Sequence, residues 1–265
     1  MDALHRIIEV KKVRVAEAKQ SAPMEQVCAQ ALATRSSAKP YRFVEALSDH
    51  DRVNIIAEIK RASPSKGVIR DNVDPSQVAR RYEEGGATGI SVLTEADHFR
   101  GSLNDLHAVR SAVSLPLLRK DFIFEEYQVY ESAAAGADAI LLIVAALDDA
   151  ALAGLRRVAE EELGLDALVE VHTAREMQRA VDSGARFIGV NNRDLRTLSV
   201  SLQTSLELAP MAPDDVVRIS ESGIETSDDI RRLRLCGYRG FLIGESLMRT
   251  DNPKSMLHDL ICNAE

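Results

Sequence analysis

Residues 115–143 read LPLLRKDFIFEEYQVYESAAAGADAILLI, and they hold one complete structural period. Leu115–Leu118 is an apolar run that ends in the charged triplet Arg119-Lys120-Asp121. Glu126–Ala135 then suits a helix, and Gly136 falls where a helix closes in the left-handed conformation. Ala139–Ile143 is a second apolar run. The order is strand, helix, glycine stop, strand, which predicts parallel strands joined by a right-handed crossover.

The same period recurs outward in both directions. Apolar runs stand at Val53–Ile59, Gly89–Leu93, Leu115–Leu118, Ala139–Ile143, Ala167–Val171, Phe187–Val190, Val216–Ile219 and Phe241–Ile243, eight in all. Segments suited to helices lie between them, among them Pro75–Glu84, Leu106–Val113, Asp148–Leu163 and Ala174–Ser183. Gly86-Ala87, Gly136-Ala137, Gly184-Ala185 and Gly237 each follow such a segment, about 50 residues apart, which is two strand–helix units. Eight strands with a two-unit echo predict an α/β chain folded as a closed (β/α)8 TIM barrel. No GxGxxG follows the first run, so a dinucleotide-binding open sheet is disfavoured. Residues 1–45 differ in texture, with Leu4, Ile7, Ile8 and Val15 at helical spacing, and predict a helical N-terminal extension. No linker rich in Pro, Gly or Ser divides the chain, so residues 1–265 are expected to form a single domain.

Composition bounds the function. The chain has 265 residues, 45% hydrophobic and 28% charged, enough to remove roughly three quarters of its unfolded surface from water. Aromatics are only 4%, with no Trp, so Leu, Ile, Val and Ala must build the core. A net charge of −8 argues against a nucleic-acid partner. Cys28, Cys236 and Cys262 form no CxxC or zinc spacing and are expected to be reduced thiols. The charged N-terminus is no signal peptide, and no apolar window reaches a membrane span. A soluble cytoplasmic protein is expected. Its helix faces carry no coiled-coil seam, so a monomer is expected too.

Charge gathers at the carboxyl ends of the apolar runs, where barrel enzymes keep their sites. Glu58 and Lys60 end the first run on one side of the strand. Lys120 ends the third, Glu170 the fifth, Asn191 the sixth, and Glu221-Ser222-Gly223 the seventh. A lone charge at a strand end is usually just solvated, and an ion pair such as Glu58–Lys60 contributes little stability. Two lysines and three glutamates on four odd-numbered strands are costly for a core and useful for a site. The last run leads into Gly244-Glu245-Ser246, a glycine turn opening a short helix. With Ser222-Gly223 it suits a phosphate site of backbone N–H groups. The Glu245 carboxylate must then point away from the anion. His172 is expected on the opposite strand face from Glu170, in a structural role. His98, His107 and His258 lack ligand spacing, and no metal site is expected. Phe122 could pack ordinarily or stack on a flat substrate ring.

Seven motifs in order resemble the indole-3-glycerol phosphate synthase family. They are Ala57-Glu58-Ile59-Lys60-Arg61-Ala62-Ser63-Pro64-Ser65-Lys66-Gly67, Ser91-Val92-Leu93-Thr94-Glu95, Leu118-Arg119-Lys120-Asp121-Phe122-Ile123, Val169-Glu170-Val171-His172, Asn191-Asn192-Arg193-Asp194-Leu195, Glu221-Ser222-Gly223-Ile224 and Leu242-Ile243-Gly244-Glu245-Ser246-Leu247-Met248. The resemblance covers nearly the whole chain. It implies cofactor-free ring closure, decarboxylation and dehydration of 1-(2-carboxyphenylamino)-1-deoxyribulose 5-phosphate, a step of tryptophan biosynthesis. It implies Lys120 as general acid and Glu170 as general base, with Glu58 tuning the lysines. Lys60 would bind the substrate carboxylate; the sequence does not separate its proton duties from those of Lys120. Asn191, Glu221 and Ser222 would orient the substrate. Ser63, Gly223, Gly244 and Glu245 would hold the phosphate, the last through its backbone. Arg193 and Leu195 would be outer contacts. The Ser63–Gly67 loop, with Pro64 and Gly67 as hinges, is expected to close over ligand. Glu245 stands where some members carry Ser. No fused isomerase or glutaminase domain is expected.

Two other readings compete. Phosphoribosylanthranilate isomerase, another phosphate-binding barrel, wants by resemblance a Cys base and an Asp acid, and no Cys ends a run here. A barrel that merely senses a phosphorylated metabolite would have lost part of the Glu58, Lys120, Glu170 set.

Overall fold

A computed structural model describes residues 3–49 and 51–264; residues 1, 2, 50 and 265, the ends of the expected single domain and extension among them, lie outside the described residues. Eight parallel strands close on themselves: β1 (Asn54–Ile59), β2 (Gly89–Leu93), β3 (Leu117–Lys120), β4 (Ala139–Ile143), β5 (Asp166–Val171), β6 (Phe187–Asn191), β7 (Val217–Glu221) and β8 (Gly240–Ile243). Each pairs with its sequence neighbours, and β8 returns to β1 with Ala57 opposite Ile243. This is the (β/α)8 barrel.

Three strands run further at their carboxyl ends than their apolar residues suggested, β6 by the single residue Asn191. β3 is shifted by two residues toward Lys120, and β7 extends to Glu221. Backbone pairing continues through the polar residues, with Leu93 opposite Lys120 and Glu221 opposite Asn191. Lys120 and Glu221 are thus held by the sheet rather than by loops.

Inside the barrel, Ile56, Leu118, Leu141, Leu168, Phe187, Ile219 and Leu242 form one cluster. Each fully buried side chain of this size contributes roughly 1.5–3 kcal/mol. That sum offsets the cost of a polar cluster at one end only. The other end is plugged by α3 (Arg42–Ala46), the last helix of an N-terminal extension that also comprises α1 (Ala3–Ser21) and α2 (Met24–Arg35). Phe43 of α3 meets Phe187 with ring centroids 5.9 Å apart. Gly89 gives the ring room, since a Cβ there would lie 2.9 Å from it. Asp166 receives the N–H groups of Phe43 and Val44 at 2.9 and 3.0 Å, satisfying donors that a helix start leaves unpaired.

The outer helices are α4 (Pro75–Glu84), α5 (Leu103–Ala112), α6 (Glu126–Ala134), α7 (Asp149–Arg157), α8 (Ala174–Asp182), α9 (Gln203–Leu208), α10 (Ser227–Leu235), α11 (Glu245–Arg249) and α12 (Pro253–Cys262). The helix expected over 148–163 ends its α-helical part at Arg157 and finishes in a wider π turn, Val158–Glu162. At the site end, α1 lies across the strand termini: Lys11 bonds Asp121 at 2.7 Å, and Arg14 pairs with Asp97 at 2.9 Å. Among the described residues no helix is long and apolar enough to cross a membrane.

Candidate active site

Side chains two apart on a strand share a face, and the inward face changes character along each odd strand. Ile56, Glu58 and Lys60 follow one another on β1 and its exit, as Leu118 and Lys120 do on β3. Leu168 precedes Glu170 on β5, and Ile219 precedes Glu221 on β7. The apolar member fills the barrel, and the charged one stands at its rim.

Lys120 is the hub. Its Nζ lies 2.5 Å from Glu221 Oε2 and 3.2 Å from Glu170 Oε2. Across the rim, Lys60 Nζ lies 2.5 Å from Glu58 Oε1. Glu58, Glu170 and Glu221 are all less than 5% exposed, so the field between them is little screened. Burial works against the Lys120 ammonium, but Glu221, Glu170 and Glu58 outweigh it and push its pKa well up. Burial likewise resists ionisation of Glu170, but Lys120 and then His172 overcome it and hold this carboxyl below its usual range. Glu221 goes the other way: burial, with Glu170 and Glu58 nearby, pushes it up to about 7 despite Lys120. Two carboxyls on one ammonium are thus driven apart, one down and one up.

Two glycines create the space for these acids. A Cβ at Gly244 would lie 2.5 Å from Glu58 Oε1, and one at Gly189 would overlap Glu221 Oε1. Past β7, Ser222 and Gly223 both take left-handed φ, 67° and 77°. Gly223 needs it, for a Cβ would also lie 2.5 Å from Val200. The turn follows Glu221, whose register partner Leu242 stands two residues before Gly244 at the start of α11. The Glu245 carboxylate reaches Arg249 at 3.1 Å and Lys66 at 3.7 Å. Ser63 sits in a short hairpin, Ala62–Ser63 with Gly67–Val68, its hydroxyl 3.5 Å from that of Ser65.

Asn191 ends β6 opposite Glu221, and the remaining residues lie in the loops beyond the strands. Asn191 accepts the Arg193 N–H at 3.0 Å, and the Arg193 guanidinium turns onto the Leu198 carbonyl of its own loop. Leu195 is half-buried in that loop. Phe122, half-buried beyond Lys120, packs against Phe99 with centroids 6.2 Å apart.

His172 corrects an expectation. It is two residues beyond Glu170, not one, and so lies on the same side of the strand. Its Nε2 is 3.5 Å from Glu170 Oε1 and its Nδ1 is 3.2 Å from Glu176. Other contributors went unassigned. Asn192 donates to Ser220 Oγ and the Ser222 carbonyl and receives the Ser205 N–H, pinning the turn after β7. Asp121 joins Lys11, Thr94 and Arg119 under Lys120. Counting in twos from Glu170 would have found His172; nothing in the spacing marks Asn192. Among the described residues no group of three or more His, Cys, Asp or Glu is arranged to hold a metal, and all three cysteines are free.

The chain matches the family described as indole-3-glycerol phosphate synthase over residues 4–260. It is 45% identical over 262 residues to a protein of that name from Carboxydothermus hydrogenoformans, covering 97% of this chain and 99% of the relative. A second, from Kineococcus radiotolerans, is 52% identical over 209 residues, 79% of this chain and 76% of the relative. The barrel is also similar to the structure of thiamine phosphate pyrophosphorylase from Pyrococcus furiosus (TM-score 0.58, 17% identity, 80% and 94% coverage), a likeness of fold alone. With a converging set of strand-end acids and lysines and relatives matched along nearly its whole length, the chain belongs to the indole-3-glycerol phosphate synthase family.

Proposed function

We propose that this chain converts 1-(2-carboxyphenylamino)-1-deoxyribulose 5-phosphate to indole-3-glycerol phosphate, carbon dioxide and water. The observation that carries the reading is the Lys120 ammonium bracketed by Glu170 and Glu221, facing the Glu58–Lys60 pair. In the first step the ring carbon bearing the carboxylate attacks the ketone carbon. The ketone oxygen becomes an alkoxide, a stronger base than any amine, and takes a proton from Lys120. The carboxylate then leaves as carbon dioxide, its bonding pair restoring the aromatic ring. In the last step the new hydroxyl departs as water with a proton supplied from the Glu58–Lys60 side. Glu170 accepts the anilinic N–H proton as the hydroxyl departs, and the resulting tautomer then loses a proton from the adjacent ring methylene and regains one on nitrogen, giving the indole.

Binding follows the same map. Lys60, 16% exposed at its side chain, is placed to meet the substrate carboxylate before its loss. Ser63, Gly223, Gly244 and the Glu245 N–H would receive the phosphate, while Asn191, Glu221 and Ser222 orient the sugar chain. Phe122 offers a ring face to the aromatic end, with Arg193 and Leu195 outside it. The Ser63–Gly67 hairpin closes over the ligand, and its Lys66 contact with Glu245 is the point where it would meet the phosphate side.

The test adds the carboxyphenylamino-deoxyribulose phosphate to purified protein. Indole fluorescence should rise with carbon dioxide released in equal amount. Neither signal at high enzyme concentration would refute the activity.

A further inference from the structure

His172 is a buried titratable group that the mechanism above does not use. It follows β5, with a side chain 7% exposed, and α8 clamps it. Glu176 Oε2 lies 2.8 Å from the His172 backbone nitrogen and 3.2 Å from Nδ1. Glu176 is itself fixed by Thr173, whose hydroxyl receives its N–H at the start of α8. A carboxylate accepts hydrogen bonds and does not donate them, so Nδ1 must carry the ring proton. Nε2 then faces Glu170 Oε1 at 3.5 Å and has no hydrogen-bond partner among the described residues.

That leaves two arrangements. A neutral ring would turn a bare lone pair onto a buried carboxylate, which is repulsive. One proton between Nε2 and Oε1 removes the repulsion, and it makes the ring a cation beside an ionised Glu170. The charged groups facing the ring are Glu170 on its own strand, Glu176 from α8, and Glu221 from β7; Lys120 holds the other oxygen of Glu170. Three carboxylates around one imidazole favour the cation. Burial opposes the charge, but Glu176, Glu170 and Glu221 outweigh it and raise the His172 pKa.

We propose that His172, locked by Glu176, is a positioning residue that keeps Glu170 ionised and ready to accept the anilinic proton. The inference rests on the reading of Glu170 as general base. It makes Glu176, His172, Glu170 and Lys120 one chain of alternating charge, with the base held between two cations. Removing the imidazolium leaves Lys120 alone to keep the carboxylate charged against burial.

The test is the pH dependence of kcat in His172→Asn, which keeps a polar side chain and loses the charge. Loss of an opposite charge at this range should move the acid limb upward by about one unit or more. kcat on the acid side of the profile should fall while KM changes less than about twofold. Glu176→Gln should move the limb the same way by less, and it stands in if His172→Asn does not fold. An unmoved acid limb in the variant examined overturns the proposal. Imidazole 15N shifts of His172, followed against pH in the parent and in Glu170→Gln, give a second reading free of turnover. The His172 titration should fall in Glu170→Gln; identical titrations overturn the coupling. Activity of Glu170→Gln, measured alongside, judges the general-base reading separately. A fully active Glu170→Gln with a shifted His172 titration would retire the base and leave the coupling standing.

Discussion

Gly189 of β6 lies opposite Glu170 in the sheet and leaves open the niche that Glu221 Oε1 occupies from β7. A methyl group at Gly189 would overlap that oxygen, and Leu168 on the other side would be 3.1 Å away. Glu221 in turn places Oε2 on Lys120 at 2.5 Å. The missing side chain on one strand thus sets the hub of the site on two others.

Gly189→Ala should fold, because the strand geometry suits alanine, yet displace Glu221. The expected result is a kcat at least tenfold lower with near-parental circular dichroism. Parental kcat in this variant would show that Glu221 finds an equivalent position.

Lys120→Met and Glu170→Gln each remove a positioned proton donor or acceptor, worth about 10²–10⁴-fold in rate. Steady-state turnover checks both, and a variant within threefold of the parent loses its assigned role.

Lys120→Met should also reverse the pH dependence of the Glu170 contribution to stability. In the parent, Glu170 is held low, so its contribution is present above the unfolded value of about 4.3 and lost as pH falls through the folded one. Without the ammonium, burial and mutual repulsion raise the folded pKa of Glu170 instead, and push Glu221 further up from about 7. Their stabilising effect is then complete below about 4.3 and lost as pH rises. Thermal unfolding of Lys120→Met between about pH 5 and 8 should show a falling Tm relative to the parent, and a rising one would contradict the argument.

Asp166 gives a second pH signature at the opposite end of the barrel. Burial pushes its carboxyl up to about 6 despite the Phe43 and Val44 N–H groups. Its stabilising effect is therefore full below the unfolded value of about 3.9 and fades as pH rises through about 6. Asp166→Asn keeps an acceptor without the charge and should gain stability over the parent above pH 6. Urea unfolding at pH 4.5 and 7.5 compares them; an equal difference at both pH values would exclude Asp166 as the source.

Lys11→Met should loosen α1 from the barrel. Asp121 keeps Arg119 and Thr94, so the loss is one charged hydrogen bond, about 1.5–3 kcal/mol. Faster tryptic cleavage at Lys19 under native conditions is the expected readout, and an unchanged rate would place the anchoring of α1 elsewhere.

Much of this molecule was legible as text. The eight strands, the helices between them and the helical extension follow from apolar runs and glycine stops, because burial acts on each segment with its own period. The charged strand ends were visible for the same reason: a Glu or Lys interrupting a buried run stands out. Boundaries at β3 and β7 were less legible, since hydrogen bonding in the sheet carries Lys120 and Glu221 where hydrophobicity stops.

The amino-acid order alone determined the barrel, the set of strand-end acids and lysines, and the family they resemble. Only the closed sheet decided which of those charges touch. It brought Lys120 to Glu221 across 101 residues and to Glu170 across 50, put His172 against Glu170, and made Gly189 a niche rather than a gap. The reason is physical: local periodicity is set by neighbours in the chain, whereas a charge's partners and its pKa are set by what barrel closure places a few ångströms away.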